Sequence, residues 1–136
     1  MQFTPRILTL DTPIHVFCVA AESFPMGVMK AHQTLHELAP QAPGRQYFGI
    51  SWGGPQITYK AAATEISPGE LKQKGLEEFT IRAGNYLAVD VDDFDTIKDV
   101  FTQLIKDPRI DPHGYCVELY LDTKKARCMI TMEPES

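Results

Sequence analysis

A chain of 136 residues is one ordinary domain, long enough to bury a real hydrophobic core. Its apolar fraction of 43% and charged fraction of 23% are those of a soluble globular protein. With 13 Lys and Arg against 18 Asp and Glu, the net charge of −5 argues against direct nucleic-acid binding, which draws its affinity from basic side chains on phosphates, and mildly favours cationic partners.

The start, Met1 to Arg6, leads straight into a short apolar segment with no signal peptide, and the longest apolar run, Ile14 to Ala21, is too short to span a bilayer. Cys18, Cys116 and Cys128 have no CxxC spacing and read as reduced, buried thiols, so a cytoplasmic location is expected. In chain order, residues 7–22 form apolar segments broken at Asp11-Thr12-Pro13, and the firmest strand is Ile14 to Ala21. Ser23 then suits a helix N-cap with Pro25 in the first turn, and Val28, Ala31, Leu35 and Leu38 fall at helical spacing. Pro40 to Gly44 ends that helix.

Two strands follow, Tyr47 to Trp52 and Ile57 to Ile66, separated by the turn signal Gly53-Gly54-Pro55. Residues 67–78 read as a linker. Phe79 to Val91 reads as one strand interrupted at Gly84-Asn85 by a bulge or kink. Asp92 and Asp93 suit a helix N-terminus, and Phe94, Ile97, Phe101, Leu104 and Ile105 mark an amphipathic helix. Tyr115 to Leu121 and Ala126 to Glu133 are the last strands. The order strand, helix, strand, strand thus occurs twice, which predicts an α+β fold of two pseudo-repeated βαββ units, about 7–66 and 79–134. Helices cover one side, and a ligand groove is expected between the units. In this alignment Tyr47 matches Tyr115 and Trp52 matches Tyr120.

The strand Tyr115 to Leu121 carries the main chemical signal. Alternation puts Val117, Leu119 and Leu121 on one face, suited to a core, and Cys116, Glu118 and Tyr120 on the other. A carboxylate beside an aromatic ring is either a solvated surface acid or the anionic contact of an apolar pocket.

The two βαββ halves, the motif Ile81-Arg82-Ala83-Gly84-Asn85-Tyr86-Leu87-Ala88-Val89 and the acid in Tyr115 to Tyr120 resemble the GyrI-like small-molecule-binding domain. That domain serves as the effector-binding part of MerR-type and AraC-type multidrug regulators. The resemblance covers about Phe3 to Pro134. It implies that Glu118 lies at the bottom of an aromatic pocket and pairs with cationic, lipophilic ligands, with Tyr120 on the same face. No DNA-binding segment precedes the domain, so a stand-alone member that is not a regulator by itself is expected. Asp92-Asp93-Phe94 stands where the family often has a glycine.

Trp52 is either the wall facing Tyr120 in an aromatic cage, where a cation–π contact contributes ~0.5–2 kcal/mol, or a core residue. Phe48 and Ile50 share its face, although a register shift of one residue would present Tyr47, Gly49 and Ser51 instead. Tyr59 and Tyr86 are weaker ligand contacts, equally readable as half-exposed strand tyrosines. His32 and His36 have a metal-compatible i, i+4 spacing but no further ligand motif, and the acids Asp90 to Asp99 lack the glycine and glutamate of a calcium loop. No metal and no cofactor are expected. Cys116 and Cys128 have no histidine near in sequence to activate them.

The leading functional expectation is a small-molecule (effector) binding domain for an apolar, aromatic or cationic organic ligand. A second is a hydrolase of strained electrophiles such as cyclopropanoid genotoxins, which the resemblance allows, with Glu118 as general base. A third is a protein-interaction module like the gyrase inhibitors of the family, with gyrase or a regulator as partner.

Overall fold

The computed structural model describes residues 3–134 and shows an α+β chain with, in order, β1 Arg6–Leu10, β2 Ile14–Ala20, α1 Val28–Leu38, β3 Tyr47–Trp52, β4 Thr58–Ala63, β5 Glu77–Ile81, β6 Gly84–Val91, α2 Ile97–Leu104, β7 Cys116–Tyr120 and β8 Ala126–Thr131. Among the described residues, no helix is long and apolar enough to cross a membrane.

The chain divides into two compact units, one formed by Pro13–Arg82 and the other by Met1–Thr12 with Ala83–Ser136. The expected division at 7–66 and 79–134 therefore differs from the one the strand pairing makes. β1 pairs antiparallel with β6, and β5 pairs antiparallel with β2. The expected single strand from Phe79 to Val91 is two strands, and residues 67–78, expected as a linker, contain a 3-10 turn at Lys72–Lys74 and the start of β5. The chain changes unit at Arg82-Ala83, and Gly84 takes φ 124°, a conformation side chains with a Cβ rarely adopt. The Gly84-Asn85 signal is thus a strand start and not a bulge.

In the Pro13–Arg82 unit the strands run β3-β4-β2-β5, all neighbours antiparallel. Val16, Phe17 and Cys18 are buried in succession, so β2 is covered on both faces. α1 lies against β4 and β2 and buries Ala31 and Leu35. Ser23 does not cap it. Its carbonyl instead accepts the Gly27 N–H at 3.1 Å, and Pro25 O accepts from Val28 N at 3.2 Å, so a turn over 23–27 precedes the helix. After α1, the side chain of Arg45, 1% exposed, donates to Pro40 O at 3.0 Å, Thr64 O at 2.8 Å and Glu70 Oε2 at 2.6 Å. Those bonds tie the loop before β3 to the segment after β4.

On the face of this sheet away from α1, the Trp52 ring meets Phe79 edge-on with centroids 5.2 Å apart, and Lys60 lies 5.5 Å from the Trp52 ring centroid while pairing with Glu77. β3 and β5 are the two ends of this four-strand run, about 14 Å apart in a flat sheet with strands ~4.8 Å apart. Rings in contact across that span mean that this sheet curls towards the face opposite its helix.

In the other unit the strands run β1-β6-β8-β7, again antiparallel. α2 is preceded by a 3-10 turn at Phe94–Thr96, where the Asp93 carboxylate accepts the Asp95 N–H at 2.9 Å. Val100 and Leu104 of α2 pack on Leu87, Val89, Val91, Ala126, Cys128 and Ile130. Each Val, Leu or Ile side chain removed from water there contributes roughly 1.5–3 kcal/mol. At the entry to β7, Gly114 lies so close to Thr131 that an added Cβ would overlap its hydroxyl, which accepts the Tyr115 N–H at 3.0 Å.

Candidate functional site

β7 pairs Cys116 with Ile130, Glu118 with Cys128 and Tyr120 with Ala126. Those three partners belong to the core beneath α2, and Cys116 and Tyr120 pack against it. Alternation therefore places Glu118 on the helix-bearing face of its sheet. This differs from the expectation that Val117, Leu119 and Leu121 form the core-facing set. Val117 is fully buried on the reverse face, but Leu121 is 44% exposed.

Glu118 is half-buried. Its Oε1 accepts the Tyr120 hydroxyl at 2.6 Å, and among the described residues it has no ion-pair partner. Burial raises its carboxyl above the usual carboxylate range, and the Tyr120 bond opposes that only in part. The thiol opposite it, Cys128, is pushed up to about 12, first by burial and then by the nearby Glu118, Asp90 and Cys116. A thiol held that high is not a nucleophile near neutral pH. The Tyr120 ring lies against Phe94, centroids 5.4 Å apart and tilted by 60°. Glu118, Tyr120 and Phe94 thus form a series from a recessed acid to a 38% exposed ring.

The other predicted site residues are placed by the packing of their own units. Tyr86 is fully buried on β6, on the face opposite Leu87 and Val89 and so opposite Glu118, with its hydroxyl 3.4 Å from that of Tyr115. Phe48 and Ile50 are fully buried, and Trp52 is half-buried beside Lys60 and Phe79. All three lie on the face of their sheet away from α1, because Tyr47, one residue out of phase, bonds Ala39 O at 2.6 Å and stacks on His36 of that helix. Tyr59 lies on the α1 face, 3% exposed, with its hydroxyl 2.8 Å from His32 Nε2. The structure therefore brings Glu118 and Tyr120 together, and Phe48, Ile50 and Trp52 together. Relative to the helix of its own unit, the first set is on the helix side and the second on the reverse. The alignment of Trp52 with Tyr120 does not carry over to equivalent faces.

His32 and His36 are occupied by packing. Burial, with His36 nearby, lowers His32 to about 4, so it is neutral, and burial also lowers His36. Among the described residues, no group of three or more His, Cys, Asp or Glu is arranged to hold a metal ion. Phe94 was missed as a site residue because its spacing to Ile97 and Phe101 matches a buried helix face. Nothing local marked the ring as lying outside the helix, since the Asp93 cap opens a 3-10 turn at Phe94 and the α-helix begins only at Ile97.

No family model matches this chain. No curated protein matches it significantly. Among solved structures it is similar to an integron cassette protein from the mobile metagenome of Vibrio cholerae, with 12% identity, a TM-score of 0.68 and 95% of each chain covered. A hydrolase from Listeria innocua is similar at 12% identity with a TM-score of 0.64, over 97% of this chain and 93% of that one. The protein SAV2435, bound to tetraphenylphosphonium, is similar at 10% identity with a TM-score of 0.66, over 98% of this chain and 94% of that one. At such identities the likeness shows the fold alone, an α+β arrangement shared along nearly the full length.

Proposed function

We propose that this protein binds a small lipophilic organic cation, with Glu118 as the charge partner and Tyr120 as an aromatic contact. One observation carries the reading: Glu118 is recessed enough for its carboxyl to be raised, yet among the described residues it has a tyrosine hydroxyl and no cation beside it. A desolvated acid without a counter-charge gains from an incoming cation more than a solvated one does. A bound cation would lower the Glu118 carboxyl again, so binding releases protons and weakens as pH falls through the range of that group. The resemblance to GyrI-like effector-binding domains supports the reading, as does a structural neighbour that holds a phosphonium cation.

The test is calorimetric titration with tetraphenylphosphonium and with neutral triphenylphosphine oxide, on the wild type and Glu118→Gln. The cation is expected to bind the wild type at least about tenfold more tightly than the variant, a difference of ~1.4 kcal/mol. Equal affinity of both proteins for the cation would remove Glu118 from the site.

A second reading, hydrolysis of a strained electrophile, is favoured by the same raised carboxyl, which suits a general base, and by neighbours described as hydrolases. Glu118 would take a proton from water while Tyr120 orients its carboxylate. Mass spectrometry of the wild type with a cyclopropane-bearing electrophile separates the two: a product that the Glu118→Gln protein does not form marks an enzyme.

A further inference from the structure

We propose that Phe94 is the outer wall of the Glu118 site and gives it a preference for cations with a broad apolar body over compact ones. The inference rests on the binding function proposed above and adds a selecting residue to it. An exposed phenylalanine alone means little, since much of any protein surface is apolar. Phe94 is distinguished by its place in a contact series. Its ring touches Tyr120, whose hydroxyl holds Glu118, so one side of the ring is anchored while 38% of the residue stays open to solvent.

The position of the ring is built and not incidental. The Asp93 carboxylate accepts the Asp95 N–H at 2.9 Å, and the Thr96 hydroxyl donates to Asp93 O at 2.6 Å, closing the 3-10 turn on both sides of Phe94. Val100 and Leu104 then fasten the following helix to the sheet that bears Glu118. A ring held this way meets a guest with little loss of its own freedom. A cation whose charge reaches Glu118 and whose apolar body extends outward would lie against Tyr120 and then Phe94. A compact cation paired with Glu118 would end at Tyr120. The exposed carboxylates Asp92, Asp93 and Asp95 flank Phe94 in the chain and add a field that favours approach of a cation.

The test compares tetraphenylphosphonium with tetramethylammonium by NMR titration, on the wild type, Phe94→Ala, Phe94→Leu and Glu118→Gln, with thermal unfolding of each. Phe94→Ala is expected to weaken tetraphenylphosphonium about tenfold and tetramethylammonium less than about twofold, with Phe94→Leu in between. Glu118→Gln is expected to weaken both cations. If Phe94→Ala and Phe94→Leu bind tetraphenylphosphonium like the wild type while Glu118→Gln does not, the wall is overturned and the Glu118 site stands. An equal loss of both cations in the Phe94 variants, with a lower unfolding temperature, would make Phe94 a support of Tyr120 and overturn its selecting role. A wild type that binds neither cation would overturn this proposal together with the function on which it rests.

Discussion

The two units treat their recessed polar side chains in opposite ways. In the Pro13–Arg82 unit such groups are answered from within: Arg45 by two carbonyls and Glu70, Tyr47 by Ala39 O, and Tyr59 by His32. In the other unit Glu118 has one tyrosine hydroxyl and no cation among the described residues. A buried polar group that is fully paired serves the fold, because leaving it unpaired would forfeit its lost hydration. A recessed carboxylate that lacks a counter-charge is a place where a cationic ligand can complete the pairing. The contrast separates a polar network that holds a loop from an acid that, in the function proposed above, is available for recognition.

The contrast can be broken or sharpened by substitution. The largest effect is expected at Arg45. Arg45→Ala removes a side chain that is 1% exposed and strands two carbonyls and a glutamate, for a loss of about 3 kcal/mol in urea unfolding. A loss no greater than that of a surface substitution would show that the self-pairing does not stabilise this unit.

The next effect is pH-dependent. His32 is lowered from 6.5 to about 4 in the fold, so between those values the unfolded chain takes up a proton that the folded one refuses. Its contribution is present above pH 6.5 and is lost as pH falls to about 4, a change on the order of 3 kcal/mol at most. Unfolding free energies measured across that range should fall with pH in the wild type and fall less in His32→Gln. Identical slopes would mean that His32 titrates freely.

The smallest effect, and the one of opposite sign, belongs to Glu118. Its carboxyl is raised in the fold, so the associated stability is present below the ordinary carboxylate range and is lost as pH rises through the raised value. Glu118→Gln, with no charge to desolvate, should therefore be as stable as the wild type or more stable at neutral pH, by roughly 1 kcal/mol or less, and the difference should vanish in acid. Destabilisation of the variant at neutral pH would mean that the carboxylate is already satisfied, and the contrast between the units would fail.

Much of the secondary structure was legible. Tyr47–Trp52 and Ala126 onward have the alternation and flanking turn residues of strands, and the α2 stripe of Ile97, Phe101 and Leu104 has helical period. Glu118 and Tyr120 were legible as a pair because residues two apart on a strand share a face whatever the rest of the chain does. The break between β5 and β6 was not, because a glycine inside an apolar stretch gives the same local signal for a bulge and for a strand start. Phe94 was hidden by a helical period that begins one turn before the α-helix.

Local pattern by itself determined the α+β class, the strand that bears the acid and the residues alternating with it, since these depend on side-chain periodicity and turn chemistry within a few residues. Only the tertiary structure decided that β1 pairs with β6 and β5 with β2, that α2 covers the Glu118 face, and that Trp52 lies on the reverse of its sheet from α1. Those outcomes depend on which distant segments bury their apolar faces together. A one-residue choice of register reverses a face at no change in local pattern, so periodicity shows that a strand has two faces and packing decides what each of them meets.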